Sequence, residues 1–122
     1  MDIRTPSSYV YQRLRLTKVA ECLKGSLKRP ADFVARFGGE EFVVILPESD
    51  ISSAEIISKT LCDNVYNMNI KHPQSPHKFV TISIGATSTV PSEEFKNNNL
   101  LNKADDLLYG AKDKGRNQFI CG

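Results

Sequence analysis

The amino-acid sequence predicts an α+β fold, a two-layer sandwich with helices packed on a sheet. Three observations carry that expectation. Apolar residues recur at helical spacing in three separate stretches, a Gly-Gly pair between two apolar runs marks a hairpin, and Phe79 to Thr87 alternates like a strand with one buried face. With 122 residues, 40% of them apolar, the chain has the size of one ordinary domain.

The first residues are polar, contain Pro6 and show no periodicity, so an irregular leader is expected over residues 1–11 and the domain over 12–122. Leu16, Val19, Ala20, Leu23 and Leu27 then form the apolar stripe of a helix whose end is bracketed by Gly25 and Pro30. Two apolar runs follow, Asp32 to Phe37 and Glu41 to Leu46. Gly38 and Gly39 between them supply the positive φ angles of a tight turn, and Pro47 ends the second strand. Ser52 and Glu55 have capping-box spacing ahead of Ala54, Ile57, Leu61 and Val65, which fall on one face of a second helix.

The connection NMNIKHPQSPHK is polar and holds two prolines, which predicts a flexible link. Its His72 and His77, five residues apart with no cysteine near, read as solvated loop histidines rather than metal ligands. In the next strand Val80, Ile82 and Ile84 alternate with Thr81, Ser83 and Gly85. Leu100, Leu101, Ala104, Leu107, Leu108 and Ala111 give a third helix, capped by Gly115, with Lys112 and Lys114 where cations favour the helix dipole. NQFIC closes the chain as a short strand.

Composition narrows the function. Sixteen basic and 14 acidic residues leave a net charge of +2, which argues against a nucleic-acid polymer or a membrane surface as partner. No stretch approaches the roughly 20 apolar residues of a membrane span, and the start lacks the layout of a secretory signal, so a cytoplasmic location is expected. Cys22, Cys62 and Cys121 are odd in number and widely spaced, which suits reduced thiols better than a disulfide framework or zinc site.

Three segments could carry chemistry. In ARFGGEEFVVIL, Glu40 and Glu41 follow the glycine turn and are either solvated turn carboxylates or part of a metal site, since magnesium bound with phosphates takes one or two carboxylates. In AKDKGRN, Lys112 and Arg116 lie four apart at a helix end, suited either to phosphate or to dipole compensation. In RPAD, Arg29 and Asp32 could clamp a guanine edge and a phosphate, or bridge each other at the surface.

With these segments in place the chain resembles the GGDEF domain family of diguanylate cyclases, which condense two GTP into cyclic di-GMP and release pyrophosphate. The resemblance runs from about Leu16 to Phe119, through Arg29-Pro-Ala-Asp32, DFVARFGGEEF ending at Phe42, VTISIGAT and ADDLLYGAKDKGRN, in family order and with the GGEEF variant of the signature. It implies a ferredoxin-like, palm-type nucleotide-cyclase sandwich. It also implies that Gly38, Gly39 and Phe42 belong to the signature loop, that Glu40 is catalytic, and that Glu40 and Glu41 bind Mg2+. Lys112 and Arg116 correspond to the residues that hold the GTP triphosphate, and Arg29 and Asp32 to the inhibitory site that binds cyclic di-GMP. Because each such domain holds one GTP, a homodimer is implied.

The family opens with a strand bearing a metal-binding aspartate and with FKxxND-like and GHxxGD-like stretches, none of which is present here. Gln12 and Arg13 stand where the family has its Gly-Asp pair. A domain incomplete at its N-terminus is expected, without its usual first strand and with the adjacent strand edges unpaired. Two alternatives therefore stand beside the cyclase reading: a catalytically inactive domain that binds cyclic di-GMP through Arg29 and Asp32, and a truncated remnant.

Overall fold

The computed structural model describes residues 9–73, 75–89 and 97–122. In chain order its elements are α1 (Tyr9–Ser26), β1 (Phe33–Gly38), β2 (Glu41–Ile45), α2 (Ile51–Asn67), β3 (Ile84–Ala86), α3 (Asn97–Asp113) and β4 (Phe119–Cys121). The mixed helix-and-strand order is the α+β arrangement expected. Helix α1 starts at Tyr9, so residues 9–11 of the expected leader are helical, and residues 1–8 lie outside the described residues.

Helix α1 buries Leu16, Val19 and Leu23, and Leu27 packs at the margin of the core. Asn64 on α2 donates to Ser26 Oγ at 2.9 Å, and Ser26 Oγ donates to the Cys22 carbonyl at 2.7 Å, which ties the two helices together. Helix α2 does not begin with the Ser52–Glu55 box. Its N-cap is Asp50, whose Oδ1 accepts the Ser53 amide at 2.8 Å, so Ser52 already lies inside the helix. An extended residue with a carboxylate directly before the first turn satisfies an orphan donor and meets the positive end of the helix dipole.

Val19, Leu23, Leu61, Cys62, Val65, Val80 and Ile82 form the core, and Val34, Phe42 and Val44 of the hairpin pack against it. The three cysteines are free. Cys62 lies within the core and burial pushes its thiol up to about 12.

The strands form two pairs, β1 antiparallel to β2 and β3 parallel to β4. Among the described residues the hairpin shares no ladder with β3 or β4, though Val34, Phe42 and Val44 on one side and Ile84 and Phe119 on the other pack against the same core. The strand expected over residues 79–87 makes a ladder only at Ile84–Ala86, because three-residue β4 is its partner, while Phe79 forms an isolated bridge with Lys71. Gly85 lies hard against α3: a Cβ there would collide with the Ala104 carbonyl oxygen and the Leu108 amide nitrogen. No helix among the described residues is long and apolar enough to cross a membrane.

Candidate nucleotide-binding site

The hairpin tip follows from its glycines, with one change of register. Arg36 pairs with Phe42, and Gly38 with Glu41, so Phe37 is an extra, bulged residue and the two turn residues are Gly39 and Glu40 rather than Gly38 and Gly39. Gly39 has φ +52, the left-handed conformation in which a side chain is disfavoured. Arg36 Nε donates to the Gly39 carbonyl at 2.8 Å and fastens the tip, a contact that the strand alternation alone did not reveal. Glu40 is half-buried in the turn and Glu41 exposed at the start of β2, so two carboxylates of different setting stand side by side.

Among the described residues no three His, Cys, Asp or Glu side chains cluster tightly enough to hold a metal ion. Two adjacent carboxylates alone do not make a free-standing ion site; the only metal chemistry they would suit is a magnesium shell completed by phosphate oxygens.

The basic end is built by the cap of α3. The Arg116 amide donates to the Ala111 carbonyl at 3.1 Å and the Gly115 amide to the Lys112 carbonyl at 3.3 Å, the paired bonds of a Schellman motif. Gly115 takes φ +113, as expected of the cap, and the left-handed run continues through Arg116 (φ +63) and Asn117 (φ +47). Lys112 and Arg116 thus share the last turn and its cap. Gln118 Nε2 donates to the Lys114 carbonyl at 3.0 Å and to the Arg116 carbonyl at 3.2 Å.

Arg29 and Asp32 bridge each other. Arg29 Nη2 and Nε donate to Asp32 Oδ1 at 2.7 and 3.0 Å, the Arg29 amide to Oδ2 at 3.3 Å, and the Asp32 amide to the Arg29 carbonyl at 3.1 Å. The guanidinium hydrogen bond holds the Asp32 carboxyl below the usual carboxylate range. Asp32 is 2% exposed at its side chain and Arg29 43%, so the arginine is the accessible partner. Arg29 Nη2 also donates to Ser49 Oγ at 2.7 Å, a partner 20 residues away that nothing in the local sequence marks.

The histidines differ from expectation. His72 is buried at 6% exposure, and His77 Nε2 lies 3.0 Å from the Gly115 carbonyl, so neither is a freely solvated side chain. An open cleft of about 330 Å³ between α2 and the start of β4, lined by Tyr66, Asn117 and Gln118 among others, contains none of the residues singled out for function. The structure thus joins Arg29 to Asp32, gathers Gly38 to Phe42 at one tip, and puts Lys112 and Arg116 on one helix end.

The profile of the family "Diguanylate cyclase, GGDEF domain" matches residues 14–118. The chain belongs to that family. It is 39% identical over 98 residues to the "Probable diguanylate cyclase DgcT" of Escherichia coli, covering 79% of this chain and 21% of that protein. To "Diguanylate cyclase A" of Treponema denticola it is 36% identical over 104 residues, 84% of this chain and 27% of the relative. The GGDEF domain described here therefore spans about a quarter of such relatives. Its fold is similar to the GGDEF domain of DgcB from Caulobacter crescentus, solved in complex with c-di-GMP, with a TM-score of 0.76 at 24% identity over 94% of this chain and 68% of that one. An active GGEEF domain of a diguanylate cyclase from Vibrio cholerae is similar at a TM-score of 0.72 and 21% identity, over 89% and 67% of the two chains.

Proposed function

We propose that this GGDEF domain binds GTP with magnesium and, as a homodimer in the cytoplasm, condenses two GTP molecules into cyclic di-GMP. The observation that supports the reading best is the closed hairpin tip with Glu40 and Glu41 side by side at its end. Glu40 accepts the proton of the ribose 3′-hydroxyl as that oxygen attacks the α-phosphorus of the second GTP and pyrophosphate leaves. Magnesium, when bound, neutralises charge on the transferring group. Glu41 supports the same ion. Lys112 and Arg116 hold the triphosphate, Arg116 with a fork that matches two phosphate oxygens. Since one domain holds one GTP, two must face each other for the bonds to form.

Incubation of the purified chain with GTP and Mg2+, followed by chromatography, tests this. Cyclic di-GMP is expected, with a loss on the order of 100-fold or more in Glu40→Gln. No product at high protein concentration overturns the reading.

A second reading is supported by the bridge between Arg29 and Asp32: the domain binds cyclic di-GMP there, as an inhibitory site or as its sole activity. The dinucleotide meets the exposed side of Arg29 while Asp32 and Ser49 orient the guanidinium. Calorimetry with cyclic di-GMP should show binding that Arg29→Ala abolishes. Equal binding by both proteins rules it out.

A further inference from the structure

We infer that His77 is a positioning residue for the phosphate-binding end of α3, holding Arg116 in the backbone conformation from which it meets GTP. The inference rests on the nucleotide reading proposed above. Three successive residues, Gly115, Arg116 and Asn117, have φ of +113, +63 and +47. Left-handed backbone is natural for glycine, but two consecutive residues with side chains adopt it only where their surroundings hold them.

Side chains meet three successive carbonyls of this turn. The carbonyls of Lys114, Gly115 and Arg116 lie at and just beyond the end of α3, where the helix itself supplies no donors to them. Gln118 Nε2 donates to the first and the third. The middle one, Gly115, lies 3.0 Å from His77 Nε2. A carbonyl oxygen only accepts, so the ring carries a proton on Nε2 and donates it. Gln118 is local to the turn, whereas His77 reaches it from 38 residues earlier and so fixes it relative to the core.

His77 itself stands on a braced loop. The His72 amide donates to the Lys78 carbonyl at 2.8 Å, the Ser75 amide to the His72 carbonyl at 2.9 Å and the Lys78 amide to the Ser75 carbonyl at 3.0 Å. The His77 amide donates to Ser75 Oγ at 3.2 Å. Below the loop, the Val80 amide donates to the Ile70 carbonyl at 2.7 Å, and Phe79 packs edge-on to Tyr66 with centroids 5.8 Å apart. The loop is a strut between the core and the cap of α3. Without its tip contact, Arg116 relaxes into other backbone states and only a fraction of molecules present it correctly, which lowers apparent affinity by that fraction.

The experiment measures amide hydrogen exchange and calorimetric binding of GTP with Mg2+ in the full 122-residue chain and its variants. His77→Ala should speed exchange at the Gly115 and Arg116 amides while leaving Val65 in α2 unchanged. It should also weaken GTP about fivefold, as expected if the competent fraction falls to about a fifth. His77→Gln, whose amide nitrogen reaches about as far as Nε2, should restore both. In an Arg116→Ala background, His77→Ala should cost no further GTP affinity. Unchanged exchange at Gly115 and Arg116 overturns the inference. So does unchanged GTP affinity where Arg116→Ala does weaken binding, or an equal loss in both backgrounds. If Arg116→Ala has no effect on GTP, the nucleotide reading falls, and the role of His77 in binding falls with it.

Discussion

The hairpin and the parallel β3–β4 pair are both two-stranded, yet they are held in opposite ways. Around β3 the chain leaves no room: Gly85 meets the backbone of α3, and Val80 and Ile82 before it are 1% and 7% exposed. The hairpin uses one face only. Val34, Phe42 and Val44 rest on the core, whereas Phe33, Phe37 and Ile45 are 56%, 60% and 53% exposed. The close approach is therefore at the strand that meets α3, the helix of Lys112, while the glutamates ride on a strand pair that packs on the core through one face.

That contrast is broken most severely at Gly85. Gly85→Ala forces α3 off the strand and should destabilise the chain by about 3 kcal/mol or more, read as a loss of the folded baseline or of the denaturation midpoint. An ordinary melting curve would show that α3 and β3 can separate without penalty. Leu61→Ala, which opens a cavity under α2 at a side chain only 4% exposed, should cost about 2–5 kcal/mol in a denaturant titration.

On the hairpin the same kind of truncation should hardly register. Phe37→Ser is expected to change stability by within about 0.5 kcal/mol, because the side chain lies mostly in water. A loss as large as that of Leu61→Ala would mean that the outer face of the hairpin is covered in solution.

A pH-dependent effect concerns the N-cap of α2, which lies between the two regions in the chain. The Ser53 amide hydrogen bond holds the Asp50 carboxyl below its ordinary value of 3.8. A depressed folded-state value means that the cap contributes in full above the ordinary value and loses its contribution as the pH falls below it. Asp50→Ala should lower the melting temperature slightly at neutral pH. The difference from the parent should shrink as the solution is acidified through and below 3.8, and a constant difference would deny the carboxylate this role.

Much of this was legible in the sequence, because the signals were local. Two glycines between β-branched runs give a hairpin whatever surrounds them, and Gly115 behind Lys112 and Lys114 gives a helix cap. The Arg29–Asp32 pair lies where its spacing puts it, and Glu41 opens β2 as expected, but Glu40 falls inside the turn because Phe37 bulges and shifts the register. Other features escaped because they depend on competition or on distant chain. Asp50 with Ser53 and Ser52 with Glu55 are overlapping cap signals, and only the folded backbone shows that the first prevails. Gly85 reads as one more member of an alternating strand until α3 is laid across it. The contacts of Arg29 with Ser49 and of His77 with Gly115 join residues 20 and 38 apart, and no local pattern announces them.

The bulge at Phe37 determines where the hairpin can change length. Removing that one residue would leave Arg36 opposite Phe42 and bring Gly38 into an uninterrupted ladder, so every position before it would keep its inward or outward phase. Losing Ala35 instead would reverse the phase of its neighbours, sending Val34 towards water and Phe33 towards the interior. Position 37 is thus the place in this strand where the loss of one residue leaves the alternation of the hairpin intact.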